Sequence, residues 1–314
     1  MIDTVAVVGA GLIGRAWAIV FARAGVPVRL YDAAPDALEA ADTRIAEALQ
    51  DLCRFGLIDD PDAVRARVET RPKLDRALDG AGYVQECGPE TVEAKREIFA
   101  RLDAAADPAT ILASSSSGIV ASRFTDHLTY PGRCLVAHPV NPPYLIPLVE
   151  LCPAPTTDPE TLKAARELME RVGQSPITVC KEVRGFALNR LQGALLNEAL
   201  RLYEDGVASS EDLDRTIRDG LGLRWSFMGP FETIDLNAPG GLRDYAERYG
   251  PLYEEMAREQ ADPRPWSADT VASLERERRA RLDVPALGAR QDWRDRRLMA
   301  LIAHKRAARE DIGD

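Results

Sequence analysis

His138 and Glu150 are the residues of this 314-residue chain best suited to moving a proton. Between them runs Pro139-Val140-Asn141-Pro142-Pro143-Tyr144, with apolar runs on either side, Cys134–Ala137 and Leu145–Val149. A ribbon folding back near Pro142-Pro143 brings the two side by side. Imidazole titrates near neutral pH, and a carboxylate on its far nitrogen fixes the tautomer and stabilises the imidazolium, so the pair suits general acid–base work. The alternative is a structural histidine and a surface acid. His127 sits in a polar loop and His304 in a basic terminal helix, which leaves His138 as the one histidine at a strand end.

A second constellation opens the chain. The apolar run Val5–Val8 breaks into Gly9-Ala10-Gly11-Leu12-Ile13-Gly14, a helical run follows through Ala24, and a second strand, Val28–Tyr31, closes on Asp32. Gly9 permits a tight turn, Gly11 lets a pyrophosphate approach the backbone, and Gly14 lets the helix sit close to the strand. The free N–H groups at Leu12, Ile13 and Gly14 and the helix dipole face the anion. Asp32 stands where an acid accepts hydrogen bonds from ribose hydroxyls. Such a carboxylate repels a 2′-phosphate, and Ala33-Ala34-Pro35 supplies no cation, so NAD is expected over NADP; Arg15 and Arg29 keep the exclusion from being absolute.

A third stretch, Ser114-Ser115-Ser116-Ser117-Gly118, follows the strand-like Ile111–Ser114. Open α/β sheets present ligand-binding residues at such carboxyl ends. Four serines could equally cap a helix or form a loop, and the residues alone leave both readings open.

Further strand-like runs lie at Tyr83–Cys87, Cys134–Ala137, Leu148–Cys152 and Ile177–Cys180. Helical patterns at Asp36–Phe55, Thr91–Ala105 and Pro159–Arg171 separate several of them, which implies a doubly wound α/β layer. After Val183 the pattern becomes helical: Phe186–Glu204 has helical periodicity, and Ser209–Leu221 begins with capping chemistry. The expected fold is therefore an N-terminal Rossmann-type doubly wound sheet over residues 1–184 with an all-helical domain over 185–314. Gln260–Pro265 reads as an exposed loop.

Composition narrows the partners. A formal net charge of −10 with no basic stripe argues against nucleic acid. Five scattered cysteines, Cys53, Cys87, Cys134, Cys152 and Cys180, read as small buried hydrophobes in a reducing compartment, with no disulfide frame and no metal site. The first strand starts almost at once and no apolar run reaches membrane length, so no signal peptide and no membrane association are expected, and the location is expected to be cytoplasmic.

The glycine turn, the serine turn, His138-Pro139-Val140-Asn141-Pro142-Pro143, Leu148-Val149-Glu150 and Gly185-Phe186-Ala187-Leu188-Asn189-Arg190-Leu191 together resemble the 3-hydroxyacyl-CoA dehydrogenase superfamily. Gly222-Leu223-Arg224-Trp225-Ser226-Phe227-Met228-Gly229-Pro230 with Glu232-Thr233, and the late Arg290-Gln291-Asp292-Trp293-Arg294, are closer to its λ-crystallin/L-gulonate 3-dehydrogenase branch. The resemblance covers essentially the whole chain.

It implies that Ser117, His138, Glu150 and Asn189 form the catalytic group, with His138 taking the proton of a substrate 3-hydroxyl and Ser117 and Asn189 hydrogen-bonding the substrate oxygen and the imidazole. It also implies that Glu90 and Lys95 contact the cofactor, against the plainer reading of exposed residues at a helix start. Arg224 would clamp a free substrate carboxylate, against the plainer reading of a surface arginine stacked on Trp225. The implied activity is NAD-dependent oxidation of a small 3-hydroxy acid, with L-gulonate leading. Alternatives are 3-hydroxybutyryl-CoA, L-carnitine, and a structural or NAD-sensing protein without turnover. A homodimer through the helical domain is implied as well, and the apolar faces of Ala187–Leu202 and Leu298–Ile302 suit it.

Overall fold

The computed structural model describes residues 2–313. Eight strands form one sheet: β1 Val5–Val8, β2 Val28–Tyr31, β3 Val68–Arg71, β4 Tyr83–Glu86, β5 Ile111–Ser114, β6 Cys134–Pro139, β7 Leu148–Pro153 and β8 Ser175–Thr178. Their order is β3-β2-β1-β4-β5-β6-β7-β8. All neighbours are parallel except β6 and β7. The order reverses direction between β1 and β4, the place where open α/β sheets leave a crevice for a ligand.

Short β-branched runs read correctly as strands because the sheet is covered on both sides. Val5 and Val7 enter one apolar cluster with Trp17, Phe21, Leu30 and Ile45, whereas Ala6 and Val8 enter the other with Val84, Phe99, Leu112 and Phe124. Each such large side chain withdrawn from water stabilises the fold by about 1.5–3 kcal/mol. Trp17 and Phe21 stack at 5.4 Å on the helix Leu12–Arg23, which lies beside β1 and β2. The expected helices appear at Pro35–Arg54, Val92–Ala105 and Pro159–Arg171. Only β3 was absent from the sequence reading, because in Val68-Glu69-Thr70-Arg71 only Val68 is buried and an edge strand needs no apolar run.

The chain divides into two compact units, one comprising the residues up to Arg190 with Asp292–Asp311, the other Leu191–Gln291 with the last residues from Ile312. By compactness the segment Asp292–Asp311 groups with the sheet, whereas the expected division kept all residues from 185 onward together. Within the helix Leu287–Ile312, Met299 is buried and Leu298, Ile302 and Ala303 pack on the first unit's core. Arg296 pairs with Asp51 at 3.0 Å. The face Leu298–Ile302, expected to serve a second subunit, is used within the first unit.

The second unit is helical, as expected. Ser209 caps the helix Ser210–Arg215 by accepting from the Asp212 N–H, and a π-helical stretch, Thr216–Leu221, continues it. Gln260–Pro265 is exposed and not helical. Polar contacts recur here: Tyr203 Oη donates to Glu277 at 2.7 Å and Trp266 Nε1 to Asn197 Oδ1 at 3.1 Å. Among the unit's described residues only Thr233 is buried.

Candidate active site

The carboxyl ends of β1, β2, β4, β5 and β6 gather the first unit's site residues along one edge of the sheet. At the end of β1, Gly9 has φ 105°, and a Cβ there would stand 2.7 Å from the Cys87 carbonyl oxygen. A Cβ at Gly14 would collide with the Gly9 carbonyl, so this glycine brings helix and turn together. Around Gly11 there is open space: nothing lies within 4 Å of an added Cβ. The helix Leu12–Arg23 has no side-chain cap and no acid in its first turn. Its free N–H groups at Leu12 and Ile13 therefore face a cradle open to an anion, and the residues present fit the pyrophosphate of NAD. Asp32 Oδ2 accepts from Ala10 N–H at 2.8 Å and Oδ1 from Ala34 N–H at 2.9 Å. The acid thus braces the glycine turn, and each oxygen keeps acceptor capacity for a ribose hydroxyl.

The serine turn is an ordered network rather than a loose loop. Ser114 Oγ donates to Glu86 Oε2 at 2.7 Å. Ser115 Oγ accepts from Gln85 Nε2 at 2.7 Å and lies 3.2 Å from Cys87 Sγ. Ser116 Oγ donates to Glu90 Oε1 at 2.7 Å, and the same oxygen accepts from the N–H groups of Ser117 and Gly118 at 2.8 and 3.2 Å. The exposed Ser117 hydroxyl is not drawn into this network, which leaves it presented at the edge. Glu90 therefore acts on the turn that carries Ser117.

Lys95 fits neither sequence reading well. Its ammonium is buried, 2.9 Å from both Glu86 oxygens, 3.2 Å from the Gly88 carbonyl and 3.7 Å from Glu90 Oε2. It is not exposed, and its donors are already engaged by the protein. Gln85 and Glu86, fully buried in a central strand, are site-supporting residues that the sequence reading passed over. A signal was present: two adjacent polar residues in Tyr83-Val84-Gln85-Glu86-Cys87 sit where a doubly covered strand should be apolar.

The His138–Glu150 pair forms as the proline-rich reversal implied. β6 and β7 are antiparallel with His138 directly opposite Glu150, and Nδ1 lies 2.8 Å from Oε2 with both residues buried. The other oxygen, Oε1, accepts from Ala187 N–H and Leu188 N–H, each at 2.9 Å, at the start of the helix Leu188–Glu204. Burial alone would push the Glu150 carboxyl up. The hydrogen bonds from His138, Leu188 and Ala187 outweigh it and hold the carboxyl below its usual range. An ionised Glu150 puts the imidazole proton on Nδ1 and leaves the Nε2 lone pair free to accept a proton.

Asn189, immediately after Leu188, donates from Nδ2 to the Ser117 carbonyl at 2.5 Å. Ser117, Asn189, Glu150 and His138 are thus tied together through the start of this helix. Phe186 is buried with its ring centroid 5.5 Å from that of His138, and it carries a left-handed φ of 51°, a conformation costing about 1–3 kcal/mol for a non-glycine residue. Arg224 lies in the second unit on the short helix Gly222–Trp225; it is exposed, and its Nη1 reaches Asn237 Oδ1 at 3.3 Å. Cys134 and Cys152 are buried, with burial pushing the Cys134 thiol up to about 12, but Cys180 is exposed.

Residues 4–183 match the domain described as 3-hydroxyacyl-CoA dehydrogenase, NAD binding domain, and residues 185–281 match 3-hydroxyacyl-CoA dehydrogenase, C-terminal domain. The chain is 44% identical to the lambda-crystallin homolog of Bos taurus over 306 residues, covering 96% of this chain and 95% of that one. It is 35% identical to L-carnitine dehydrogenase of Pseudomonas putida over 324 residues, covering 99% and 97%. Among solved structures, the NAD-dependent 5-formyl-3-hydroxy-2-methylpyridine 4-carboxylic acid 5-dehydrogenase superposes with a TM-score of 0.81 at 28% identity, covering 97% of this chain and 99% of that one.

Proposed function

The chain belongs to the 3-hydroxyacyl-CoA dehydrogenase family and is an NAD-dependent oxidoreductase, and from that premise we propose that it oxidises the 3-hydroxyl of a small 3-hydroxy acid bearing a free carboxylate, L-gulonate to 3-dehydro-L-gulonate. The observation that carries the reaction type is the buried His138–Glu150 pair at the edge of the sheet that also holds the glycine cradle.

NAD bound in that cradle supplies the hydride acceptor. His138 Nε2 takes the proton of the substrate hydroxyl, and Glu150, ionised and held by two backbone N–H groups, stabilises the imidazolium that results. The Ser117 hydroxyl donates to the reacting oxygen. Asn189 uses one amide N–H on the Ser117 carbonyl, leaving its second N–H and its Oδ1 for the substrate oxygen or the imidazole.

Two relatives support a small acid in place of a thioester. The pyridine 4-carboxylic acid named for the structural neighbour and L-carnitine both carry a carboxylate. Arg224 is the residue proposed to hold it, as a planar, bidentate donor. L-Carnitine is a second reading, supported by the 35% identical relative.

A homodimer through the helical unit belongs to the same proposal. The helix Gly241–Glu259 leaves Leu242, Tyr249, Leu252, Tyr253 and Met256 exposed at helical spacing, and Phe227 and Phe231 are exposed nearby in sequence.

The test is NADH formation with L-gulonate, L-carnitine and 3-hydroxybutyryl-CoA on wild type and Arg224→Met. L-Gulonate should be preferred, with its KM rising strongly in Arg224→Met and that for NAD unchanged. A preference for the thioester that is indifferent to Arg224 would overturn the substrate reading; no turnover with any of the three would favour a structural role.

A further inference from the structure

After Val183 the chain turns through two consecutive left-handed residues, Gly185 at φ 79° and Phe186 at φ 51°. Glycine enters that region freely, whereas the Cβ of phenylalanine crowds the following carbonyl. A bulky residue stays there only when its surroundings over-determine it. Here the Phe186 side chain is fully buried against the sheet, its N–H donates to the Val183 carbonyl at 3.1 Å, and its ring is inclined at 46° to the His138 imidazole. The next two N–H groups, of Ala187 and Leu188, both meet Glu150 Oε1. One bend therefore lays a ring on the histidine and aims two donors at its carboxylate partner.

A phenylalanine that only filled the core would need no such backbone. We propose that Phe186 is a positioning residue for the His138–Glu150 pair: its ring shields the Nδ1···Oε2 hydrogen bond from water, and its left-handed backbone presents the two N–H groups that hold the other carboxylate oxygen. Glu150 cannot rotate to one group without releasing the other. Gly185 serves the same bend, and its positive φ is the reason for a glycine there.

The inference rests on the reading of His138 as the proton acceptor, yet its first readout needs no turnover. The full-length protein labelled with 15N-histidine contains three histidines, His127, His138 and His304, and His138→Gln assigns the relevant signal by its loss. In wild type the Nδ1–H proton of His138 should exchange slowly with water. In Phe186→Leu, which keeps an apolar side chain, exchange should accelerate by about tenfold or more. With NAD and the best 3-hydroxy acid, kcat should fall about tenfold to a hundredfold in this variant. The KM for NAD should stay within about twofold. Phe186→Asn accepts a left-handed backbone without the ring and should show the same losses.

Fast exchange in wild type overturns the proposal even if neither variant folds. So does unchanged exchange in Phe186→Leu. Absence of turnover in wild type would instead sink the dehydrogenase reading, and the exchange comparison would still decide the role of Phe186.

Discussion

Lys95 and Glu86 form a buried ion pair in which the ammonium lies 2.9 Å from both carboxylate oxygens and neither side chain is more than 1% exposed. Glu86 also accepts from the Ser114 hydroxyl and the Gly88 N–H, so the pair sits under both the serine turn and the turn after β4. Lys95→Met leaves that carboxylate buried without its cation and should cost about 3–5 kcal/mol in denaturant unfolding. Removing both charges, in Glu86→Gln with Lys95→Met, should recover a good part. If Lys95→Met instead weakens NAD binding with stability intact, the ammonium is a cofactor contact after all.

The His138–Glu150 pair separates two kinetic effects. His138→Gln should lower kcat by about a hundredfold or more while NAD binding persists, the scale expected for a positioned base. Glu150→Gln deprives the imidazolium of its anion, so kcat/KM should fall while NAD binding persists. Wild-type rates in the His138 variant would remove the proposed base.

Asp32 braces the Ala10 N–H, and its proposed second duty is to accept from the ribose hydroxyls. Asp32→Ala should raise the KM for NAD and narrow the preference over NADP, because the carboxylate no longer repels a 2′-phosphate. Steady-state kinetics with both cofactors measure this. Equal use of both by wild type would show that Asp32 is not the selecting group.

Two carboxyls link stability to pH. Glu150 is held low by His138 and the Leu188 and Ala187 N–H groups, against burial; Asp103 is held low by Arg133 and the Thr129 N–H, also against burial. Depressed folded-state values mean that the unfolded chain binds these protons first. The stabilisation is complete above the ordinary carboxylate range of about 4 and is lost as pH falls through the folded values. Unfolding curves of Glu150→Gln and Asp103→Asn should therefore lie well below wild type at neutral pH and converge with it in acid. A gap that stays constant with pH would contradict the assignment.

The exposed apolar stripe on Gly241–Glu259 gives a further expectation. Sedimentation equilibrium should find a dimer, and Leu252→Glu with Tyr253→Glu should shift it to monomer by placing charge in the apolar contact. A wild-type monomer at micromolar concentration would exclude this interface.

The sequence by itself carried what is local. Gly9, Gly11, Gly14 and Asp32 were legible because a strand, a tight turn, a helix and an acid are consecutive along the chain, and backbone sterics make glycine the residue such a turn needs. His138 and Glu150 were legible because they flank one reversal in one ribbon.

Tertiary structure decided what depends on partners far apart in the chain. Lys95 is buried because Glu86 and the Gly88 carbonyl lie beneath its helix, which no helix-start pattern announces. The four serines have different roles because Gln85, Glu86 and Glu90 reach them from another strand and loop. Asp292–Asp311 joins the first unit because the buried Met299 and its apolar neighbours fit that core, although periodicity alone suits any apolar face. The left-handed Phe186 follows from the demand of Glu150 for two adjacent N–H groups, a demand visible only once β7 and that bend are side by side.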